Sequence, residues 1–353
     1  MRNALNYQQK RVILTGGLGF IGSNLAIRLV QLGARVTVVD SSRPGCGANP
    51  HNLAPIASNV RLIQADIGEA QEFRQELADC QVVFNLAGEV SHVHSMAFPE
   101  RDLAINTAAQ LRFLEVLRRE RPGVRIVYAG TRQVYGIPRY LPVDEQHPVQ
   151  PVDFNGVHKH AAATYHLMLT RLGQLDAVVL LLTNVYGPRM ALRIPCQGVL
   201  STFFRRALLK QDLEVYGGEQ LRDPVYVDDA VEAFLLAGAA DHLPSRTYNV
   251  GGPEGIPLRE IAKVIAEAAG LRIVKRPFPS ERKQIDIGSY VTDSRRLCRE
   301  LGWSAQVPFA TGVRRTLEWF RAEIKHYLDP ARPTVCGMPE HAGKRRRLAL
   351  IPA

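Results

Sequence analysis

The sequence lacks long apolar runs, and this absence excludes a membrane-spanning protein. No apolar run in its 353 residues reaches the roughly 20 residues that a membrane-spanning helix needs. The chain before the first apolar run carries Asn3, Asn6, Gln8 and Gln9, which are unlike the apolar block of a secretory signal. We therefore expect a cytoplasmic protein that does not bind membranes.

Cysteine is also scarce. The five residues are scattered without CxxC spacing, and an odd number fits reduced thiols better than a disulfide framework or a zinc site. The sequence therefore predicts no metal centre. The cysteines are Cys46, Cys80, Cys196, Cys298 and Cys336.

Positive charge is in excess, with a formal net charge of +10. The run Lys344–Arg347 supplies four of these charges and lies within 329–353, which we expect to be a loosely ordered basic tail. Such a run can bind nucleic acid, but attraction to an anionic small molecule is the simpler explanation of the positive net charge. We expect no nucleic-acid partner.

A glycine-rich segment, Thr15–Gly22, carries most of the functional information. It lies between an apolar run at 11–14 and an amphipathic helical pattern at 20–32, and a second apolar run follows at 35–39. This order predicts a βαβ unit whose first turn binds a dinucleotide. The N-terminus of the helix then offers free N–H groups and a partial positive charge to the phosphates.

The glycines and the acid after the second run have separate uses. Gly16 permits the tight turn, Gly19 the close approach of a pyrophosphate, and Gly22 the packing of helix on strand. Asp40 can accept both ribose hydroxyls of an adenosine and would repel a 2′-phosphate. This favours NAD over NADP, although Arg43 nearby favours the opposite choice.

Strand and helix patterns keep alternating as far as Pro188. Alternation of this kind is typical of an α/β fold with a Rossmann-type doubly wound parallel sheet, which binds ligands at the carboxyl ends of its strands. The further strand patterns lie at 60–65, 82–86, 124–128 and 176–182, and helical patterns at 69–78, 100–120 and 156–172.

Beyond that point the segments become shorter and are punctuated by Gly and Pro. Only two long helices are predicted there, near 257–269 and 309–327. We expect residues 1–188 to form the nucleotide-binding domain, with parts of 220–250 returning to it. Residues 189–328 are expected to form a smaller α+β substrate region.

Together these motifs resemble the extended short-chain dehydrogenase/reductase family, in its branch of NAD-dependent nucleotide-sugar epimerases and dehydratases, of the UDP-glucose 4-epimerase type. The similarity runs from about Arg11 to about Tyr327. It rests on the glycine motif and on Asp66-Ile67, Asn85–Gly88, Val134–Gly136, Thr183–Arg189, Gln220–Asp229, Tyr248–Gly252 and Leu301–Trp303.

The resemblance implies a bound NAD. In that family the residues at positions 66 and 67 touch the adenine, the segment at 85–88 passes beneath the dinucleotide, and the lysine at 159 holds the nicotinamide ribose. The implied cofactor residues are Gly16, Gly19, Phe20, Ile21, Gly22, Asp40, Asp66, Ile67, Leu86, Ala87, Gly88, Asn106 and Lys159.

The catalytic pattern of the family is broken at one position. The family base is a tyrosine four residues before a lysine on one helix, assisted by a Ser or Thr on the neighbouring strand. Thr131 and Lys159 match, but Asn155 stands in the place of the tyrosine, and an amide cannot take up a proton at physiological pH. Three explanations stay open. His158 replaces the base, or Thr131 with an ordered water and Asn155 passes the proton to bulk solvent, or the chain binds its ligands without turnover.

The two residues after Thr131 narrow the reaction. In the resembled family, 4,6-dehydratases carry Asp-Glu there and decarboxylases carry a glutamate two residues after the threonine, whereas this chain has Arg132 and Gln133. Acid-assisted elimination therefore lacks its usual agent. We expect an epimerase that works by transient hydride transfer to bound NAD. The alternatives are a dehydrogenase or dehydratase of the same family, or a non-catalytic sensor or partner subunit.

The resemblance also implies a nucleotide-diphosphate sugar as the substrate. Arg222 matches the arginine that forks onto the diphosphate, Asn184 lies where the family bonds the same group, and Arg282 or the lysine beside it is the expected second cation. Tyr135 is another possible proton donor, although in the family this residue lines the sugar pocket. For Arg132 two roles stay open: an ion pair within the protein, or a contact to a sugar carboxylate or to the diphosphate.

Two helical patterns match the elements that form a dimer contact in the resembled family. They are the helix at 100–120 and the helix that starts at Gly156. By that analogy we expect a homodimer.

Overall fold

Thirteen strands occur in the part of the chain that the structure describes, a computed structural model with residues 5–194, 198–277 and 286–328. They are β1 (Arg11–Thr15), β2 (Arg35–Val39), β3 (Val60–Ile63), β4 (Val82–Asn85), β5 (Arg125–Thr131), β6 (Asp176–Leu182), β7 (Val185–Tyr186), β8 (Leu213–Tyr216), β9 (Leu221–Arg222), β10 (Val225–Tyr226), β11 (Thr247–Val250), β12 (Ile256–Pro257) and β13 (Ile273–Arg276).

The α-helices connect these strands, and shorter helical turns lie between them. The helices are α1 (Phe20–Gln31), α2 (Arg74–Asp79), α3 (His92–Ala97), α4 (Pro99–Leu103), α5 (Ala109–Glu120), α6 (Phe154–Arg171), α7 (Val199–Leu208), α8 (Val227–Ala239), α9 (Leu258–Ala269), α10 (Arg295–Leu301) and α11 (Phe309–Tyr327). The 3₁₀ segments are Pro50–Asn59, Ile67–Phe73 and Arg132–Tyr135, and a π-helical turn occupies Ala104–Ala108.

Seven strands form one parallel sheet in the order β11–β6–β5–β4–β1–β2–β3. The order reverses at β1, so the carboxyl ends of β1 and β4 diverge around a crevice, where doubly wound sheets bind their ligands. The predicted Rossmann-type sheet is confirmed. Its inner strands β1, β4 and β6 are apolar on both faces, because helices cover both sides.

The region after residue 188 is richer in helices than predicted. The prediction of only two long helices there is wrong, because α7 and α8 also form. Helix α8 packs against the central sheet and is buried on most of its circumference, so its sequence lacks the polar face that marks a surface helix. No helix among the described residues is long and apolar enough to cross a membrane.

Residues 99–120 form one helical run rather than a uniform α-helix. The π-helical turn separates α4 from α5. The predicted helix at 69–78 begins instead as a 3₁₀ segment and becomes α-helical at Arg74. The π-helical turn contains no proline or glycine, whereas the 3₁₀ segment contains Gly68 near its start.

The C-terminal helix α11 is joined to the glycine loop by a few polar contacts, which we call the clasp. Asn52 Nδ2 donates to Leu18 O in the loop at 2.8 Å, and the Tyr327 hydroxyl hydrogen-bonds to Asn52 Oδ1. Asn49 also bridges the two, because its N–H bonds Leu18 O at 3.0 Å and its Nδ2 bonds His326 O at 3.2 Å. The clasp thus consists of Asn49, Asn52 and Tyr327.

Candidate active site

A cleft opens at the carboxyl ends of β1, β2 and β4. The glycine loop forms one wall. At Gly16, where φ is 71°, an added Cβ would come within 2.7 Å of Leu86 O, so only glycine fits there. The predicted cofactor residues that line the cleft are Gly16, Gly19, Asp40, Asp66, Ile67, Leu86, Ala87 and Gly88.

The other predicted cofactor residues lie around the cleft rather than in its lining. Gly22 is buried, and a Cβ there would clash with the backbone of Gly16, which accounts for this glycine by helix packing. Phe20 and Ile21 are partly buried at the start of α1 and pack against the core. Asn106 and Lys159 approach from beneath, next to Gly88.

Asp40 is fixed at the end of β2. Its Oδ2 accepts the N–H of Leu18 at 3.0 Å and its Oδ1 accepts the N–H of Ser42 at 2.9 Å. Burial raises the pKa of this carboxyl, while the two N–H groups oppose the shift. Arg43 is not directed at Asp40 in this arrangement, because its Nη2 pairs with Asp66 Oδ2 at 2.8 Å across the mouth of the cleft.

The shape of the cleft fits a dinucleotide. A Cβ on Gly19 would meet only Gly16 O, at 3.2 Å, which leaves the loop open to close approach by a pyrophosphate. On the floor, a Cβ on Gly88 would lie 2.6 Å from Asn106 Oδ1 and 3.1 Å from Lys159 Nζ. A side chain at position 88 would therefore collide with the residues beneath the cleft, and a side chain at position 19 would crowd the glycine loop.

Asn155 lies on the first turn of α6, in a buried position. Its Nδ2 donates to Glu89 O at 2.9 Å and to Asp102 Oδ2 at 3.0 Å. Glu89 is held in turn by Asn106, which accepts its N–H at 3.0 Å and donates to its carbonyl at 3.1 Å. Both amide protons of Asn155 are therefore committed to the protein.

His158 forms a pair with the same carboxylate. Its Nδ1 lies 2.7 Å from Asp102 Oδ1, and both residues are buried. Asp102 therefore joins Asn155 to His158. No sequence motif points to Asp102, because it precedes Asn155 by 53 residues and no local pattern links them.

Lys159 points from α6 towards the floor of the cleft and is buried. Its Nζ lies 5.7 Å from the centre of the Tyr128 ring. Burial lowers the pKa of Lys159 to about 8, and the charge of Asp102 opposes this shift. Thr131 ends β5 and caps the next 3₁₀ segment, since its Oγ1 accepts the N–H of Gln133 at 3.3 Å.

Two arginines lie beyond Thr131. Arg132 stacks on the ring of Tyr290 at 4.7 Å and reaches Asn184 Oδ1 with a long 3.5 Å contact. Arg222 donates through Nη1 to Leu221 O and Gly288 O at 2.7 and 2.5 Å. Burial and the charge of Arg132 lower the pKa of Arg222 to about 10. The two guanidinium groups thus repel each other across a shared space.

Of the remaining predicted residues, Tyr135 is committed elsewhere. Its hydroxyl donates to Asn249 Oδ1 in β11 at 2.8 Å, and burial raises its pKa, so it is poorly suited to exchange a proton. Arg282 lies outside the described residues.

Within the part of the chain that the structure describes, one group of side chains has ligand spacing for a metal, although the sequence predicts no metal centre. His51, Glu323 and His326 place their ligand atoms within 4.8 Å of one another. His51 Nε2 lies 2.8 Å from Glu323 Oε2, and the two imidazole rings stack at 3.6 Å. A hydrogen bond and a ring stack thus hold these three side chains together.

Comparison with known proteins agrees with the geometry. A sequence profile of the NAD-dependent epimerase/dehydratase family matches residues 12–251. A UDP-glucose 4-epimerase of Mycolicibacterium smegmatis is 33% identical over 320 residues, which cover 88% of this chain and 98% of that protein. UDP-glucuronic acid decarboxylase 1 of Xenopus tropicalis is 31% identical over 325 residues, which cover 90% of this chain and 74% of that protein.

The fold is similar to that of a solved relative. The crystal structure of UDP-glucose 4-epimerase from Thermotoga maritima with UDP-glucose matches at a TM-score of 0.80 and 28% identity, covering 89% of this chain and 99% of that one. Relatives of nearly equal identity carry out different reactions, so similarity alone does not select the reaction.

Proposed function

Because this chain belongs to the NAD-dependent epimerase/dehydratase family, we propose that it is an epimerase that inverts one hydroxyl-bearing carbon of a nucleotide-diphosphate sugar. The proposal depends mainly on the two residues after Thr131, which are Arg132 and Gln133 rather than acids. Gln133 is buried, and its carboxamide donates to Asp153 Oδ2 at 3.3 Å. Elimination and acid-assisted decarboxylation lack a carboxylate at these positions, whereas epimerisation requires none.

The cofactor site supports NAD as the redox partner. When bound, NAD supplies reversible acceptance of a hydride from the sugar carbon. Asp40, oriented by two backbone N–H groups, is positioned to bind the adenosine ribose and to repel a 2′-phosphate. Lys159, beside Gly88, is positioned to bind the nicotinamide ribose.

We assign the role of proton acceptor to His158. With Nδ1–H donating to Asp102, the neutral ring leaves Nε2 with a free lone pair, and the carboxylate stabilises the imidazolium that forms when a proton is taken up. Asn155 contributes no basic atom, and it holds the other oxygen of Asp102 in place. The pair Asp102–His158 thus supplies the base that the family tyrosine would otherwise provide.

A binding protein without turnover is the second candidate, and the packing of Asn155 favours it. This side chain is buried and donates both of its amide protons to the protein. An arrangement of that kind could preserve a ligand site after its proton-transfer group is lost. The two candidates differ in whether any substrate turns over.

We also propose a homodimer formed through α5 and α6, which lie side by side. Large apolar side chains are exposed on both helices, among them Leu111 on α5 and Val157 and Met168 on α6. A self-complementary contact would cover them. The charge-introducing variant Met168→Glu should then convert a dimer into a monomer in light scattering, and a wild-type monomer would overturn this part of the proposal.

The test of the reaction is a panel of UDP-, dTDP-, GDP- and CDP-sugars incubated with the protein and NAD. The epimerase proposal expects an epimer of one substrate without net NADH. His158→Gln should abolish its formation, whereas the substitution His160→Gln, of a neighbouring histidine outside the proposed pair, should not.

Each other product has a definite meaning. Accumulating NADH would identify a dehydrogenase, and a 4-keto-6-deoxy sugar would identify a dehydratase. Binding of a nucleotide sugar without any product would favour the binding protein. Failure of every nucleotide sugar to bind would overturn the proposal as a whole.

A further inference from the structure

Three side chains that the candidate active site does not use meet where α11 packs against the segment after β2. His51 lies in the 3₁₀ segment Pro50–Asn59, whereas Glu323 and His326 are neighbours on successive turns of α11. Their ligand atoms lie within 4.8 Å of one another, and all three residues are partly buried. We call these three residues the two-histidine cluster.

The donor atoms of the two-histidine cluster are those that zinc prefers. Two imidazole nitrogens and one carboxylate oxygen make a set of three protein ligands, which leaves a fourth position for water. Imidazole nitrogen suits Zn²⁺, Ni²⁺ and Cu²⁺, whereas Mg²⁺ and Ca²⁺ prefer oxygen ligands. The cluster therefore has the chemistry of a transition-metal site rather than that of a magnesium or calcium site.

The observed spacing is close to that of ligands around an ion. Ligand atoms about 2.0–2.1 Å from a tetrahedral Zn²⁺ lie roughly 3.3 Å apart. His51 Nε2 and Glu323 Oε2 are 2.8 Å apart, and the ion would take the place of the proton between them. The rings of His51 and His326 are parallel to within 12° at 3.6 Å, so one ring must turn for both to face the ion. His326 is the ring that turns, because the hydrogen bond to Glu323 holds the ring of His51.

Asn49 connects the cluster to the glycine loop. Its Oδ1 accepts the N–H of His51 at 3.1 Å, and its Nδ2 donates to the carbonyl of His326 at 3.2 Å. Its own N–H donates to Leu18 O in the glycine loop at 3.0 Å. An ion in the cluster would therefore join the same two elements as the clasp and would hold Asn49 in place from both sides.

We propose that His51, Glu323 and His326 bind a divalent transition-metal ion of the Zn²⁺ type, and that this ion strengthens NAD binding by fixing the clasp. The role is structural. His51 and Glu323 are 272 residues apart along the chain, so the complete ligand set exists only in the folded protein and the ion stabilises that state. The site does not depend on the proposed reaction, since none of its ligands lines the cleft.

The test is calorimetric titration of the untagged full chain with Zn²⁺, after EDTA has removed any bound metal. The wild-type protein should bind one Zn²⁺, and excess Zn²⁺ should raise its unfolding temperature by about 3 °C or more, whereas Mg²⁺ should have no effect. His326→Gln should weaken Zn²⁺ binding by about 100-fold, at least as much as the loss of an outer partner costs a metal site. His160→Gln, at a histidine of α6 outside the cluster, should leave Zn²⁺ binding unchanged.

The coupling to the cofactor is measured by titrating NAD into the wild-type protein in the presence of Zn²⁺ or of EDTA. Zn²⁺ should tighten NAD binding by about fivefold, and linkage requires NAD to tighten Zn²⁺ binding by the same factor. In His326→Gln the NAD affinity should be the same under both conditions. This variant also controls for direct binding of Zn²⁺ to the phosphates of NAD.

Anomalous diffraction from crystals of the wild-type protein grown with Zn²⁺ locates the ion without a variant. Density between the three side chains would support the site, and zinc bound only at other places would overturn it. Zn²⁺ binding that is absent from the wild type, or unchanged in His326→Gln, would also overturn the site. Equal NAD affinity of the wild type with Zn²⁺ and with EDTA would overturn the coupling to the glycine loop.

Discussion

Replacing Lys159 with methionine should stabilise the folded protein at pH 7 in the absence of cofactor. The ammonium is buried, and burial lowers the pKa of Lys159 from 10.5 to about 8. The unfolded chain therefore binds this proton more tightly than the folded chain, which opposes folding at every pH below about 8. Methionine has a side chain of similar length and no charge, so it removes this unfavourable contribution to the free energy of folding.

The size of the effect follows from the shift. A difference of about 2.5 pKa units at roughly 1.36 kcal/mol each gives an upper limit of about 3 kcal/mol. Loss of the attraction between Lys159 and Asp102 reduces this, so we expect roughly 1–3 kcal/mol. The gain should shrink as the pH rises from 8 towards 10.5, because the folded protein then holds the lysine neutral and the cost of removing the proton that the unfolded chain still binds falls to zero near pH 10.5.

Urea unfolding of the wild-type and Lys159→Met proteins at about pH 7 and about pH 9.5 measures this directly. Lys263→Met, at an exposed position on α9, is the control and should show no such pH-dependent gain. The reasoning is refuted if Lys159→Met is less stable than wild type at pH 7, or if its advantage is the same at both pH values. The NAD affinity of Lys159→Met should also fall, because the ammonium that would bind the nicotinamide ribose is removed. A lysine without a role in cofactor binding would leave the NAD affinity unchanged.

Three further predictions concern the cofactor and the base. Asp40→Ala should weaken NAD binding by about tenfold, equivalent to roughly 1.4 kcal/mol, and should reduce the preference for NAD over NADP. Thermal-shift titrations in which the wild-type protein binds NADP as tightly as NAD would contradict the role of Asp40. Asp102→Asn should lower kcat by about 10- to 100-fold, because the carboxylate that hydrogen-bonds and orients the ring of His158 is lost; His158→Gln should lower kcat at least as far, and an unchanged kcat would exclude His158 as the base. Asn155→Tyr should destabilise the protein by about 1–3 kcal/mol in urea unfolding, since a phenol must enter a buried position shaped for an amide; a variant as stable as wild type would show that the pocket still admits the tyrosine.

Local patterns predicted the sheet and the cofactor loop well. The run of Val12 to Leu14, the glycines and Asp40 lie within one βαβ unit, where spacing along the chain fixes spacing in the fold. For the same reason, the predicted bounds of the first strands agree with the observed bounds to within one or two residues. Helix α8 was missed because burial on most sides removes the polar face on which such a prediction depends.

The contacts that complete the candidate active site could not be predicted in the same way. Asp102 meets Asn155 and His158 only because α4 packs against α6, and no spacing in the sequence encodes that approach. Asn155 was recognisable as a substitution, but its partner Glu89 was not, since the contact uses a backbone carbonyl that any residue would supply.

The clasp couples α11, the last described helix, to the glycine loop that follows β1. Asn52 carries the contact from Tyr327 to Leu18, and Leu18 in turn donates to Asp40. Local opening of α11 would therefore loosen the loop that approaches the pyrophosphate, and thermodynamic linkage requires the reverse. NAD should slow hydrogen exchange in the amides of α11, far along the chain from the glycines. A fragment ending at residue 188 would contain every residue that lines the cleft and would still bind the dinucleotide poorly.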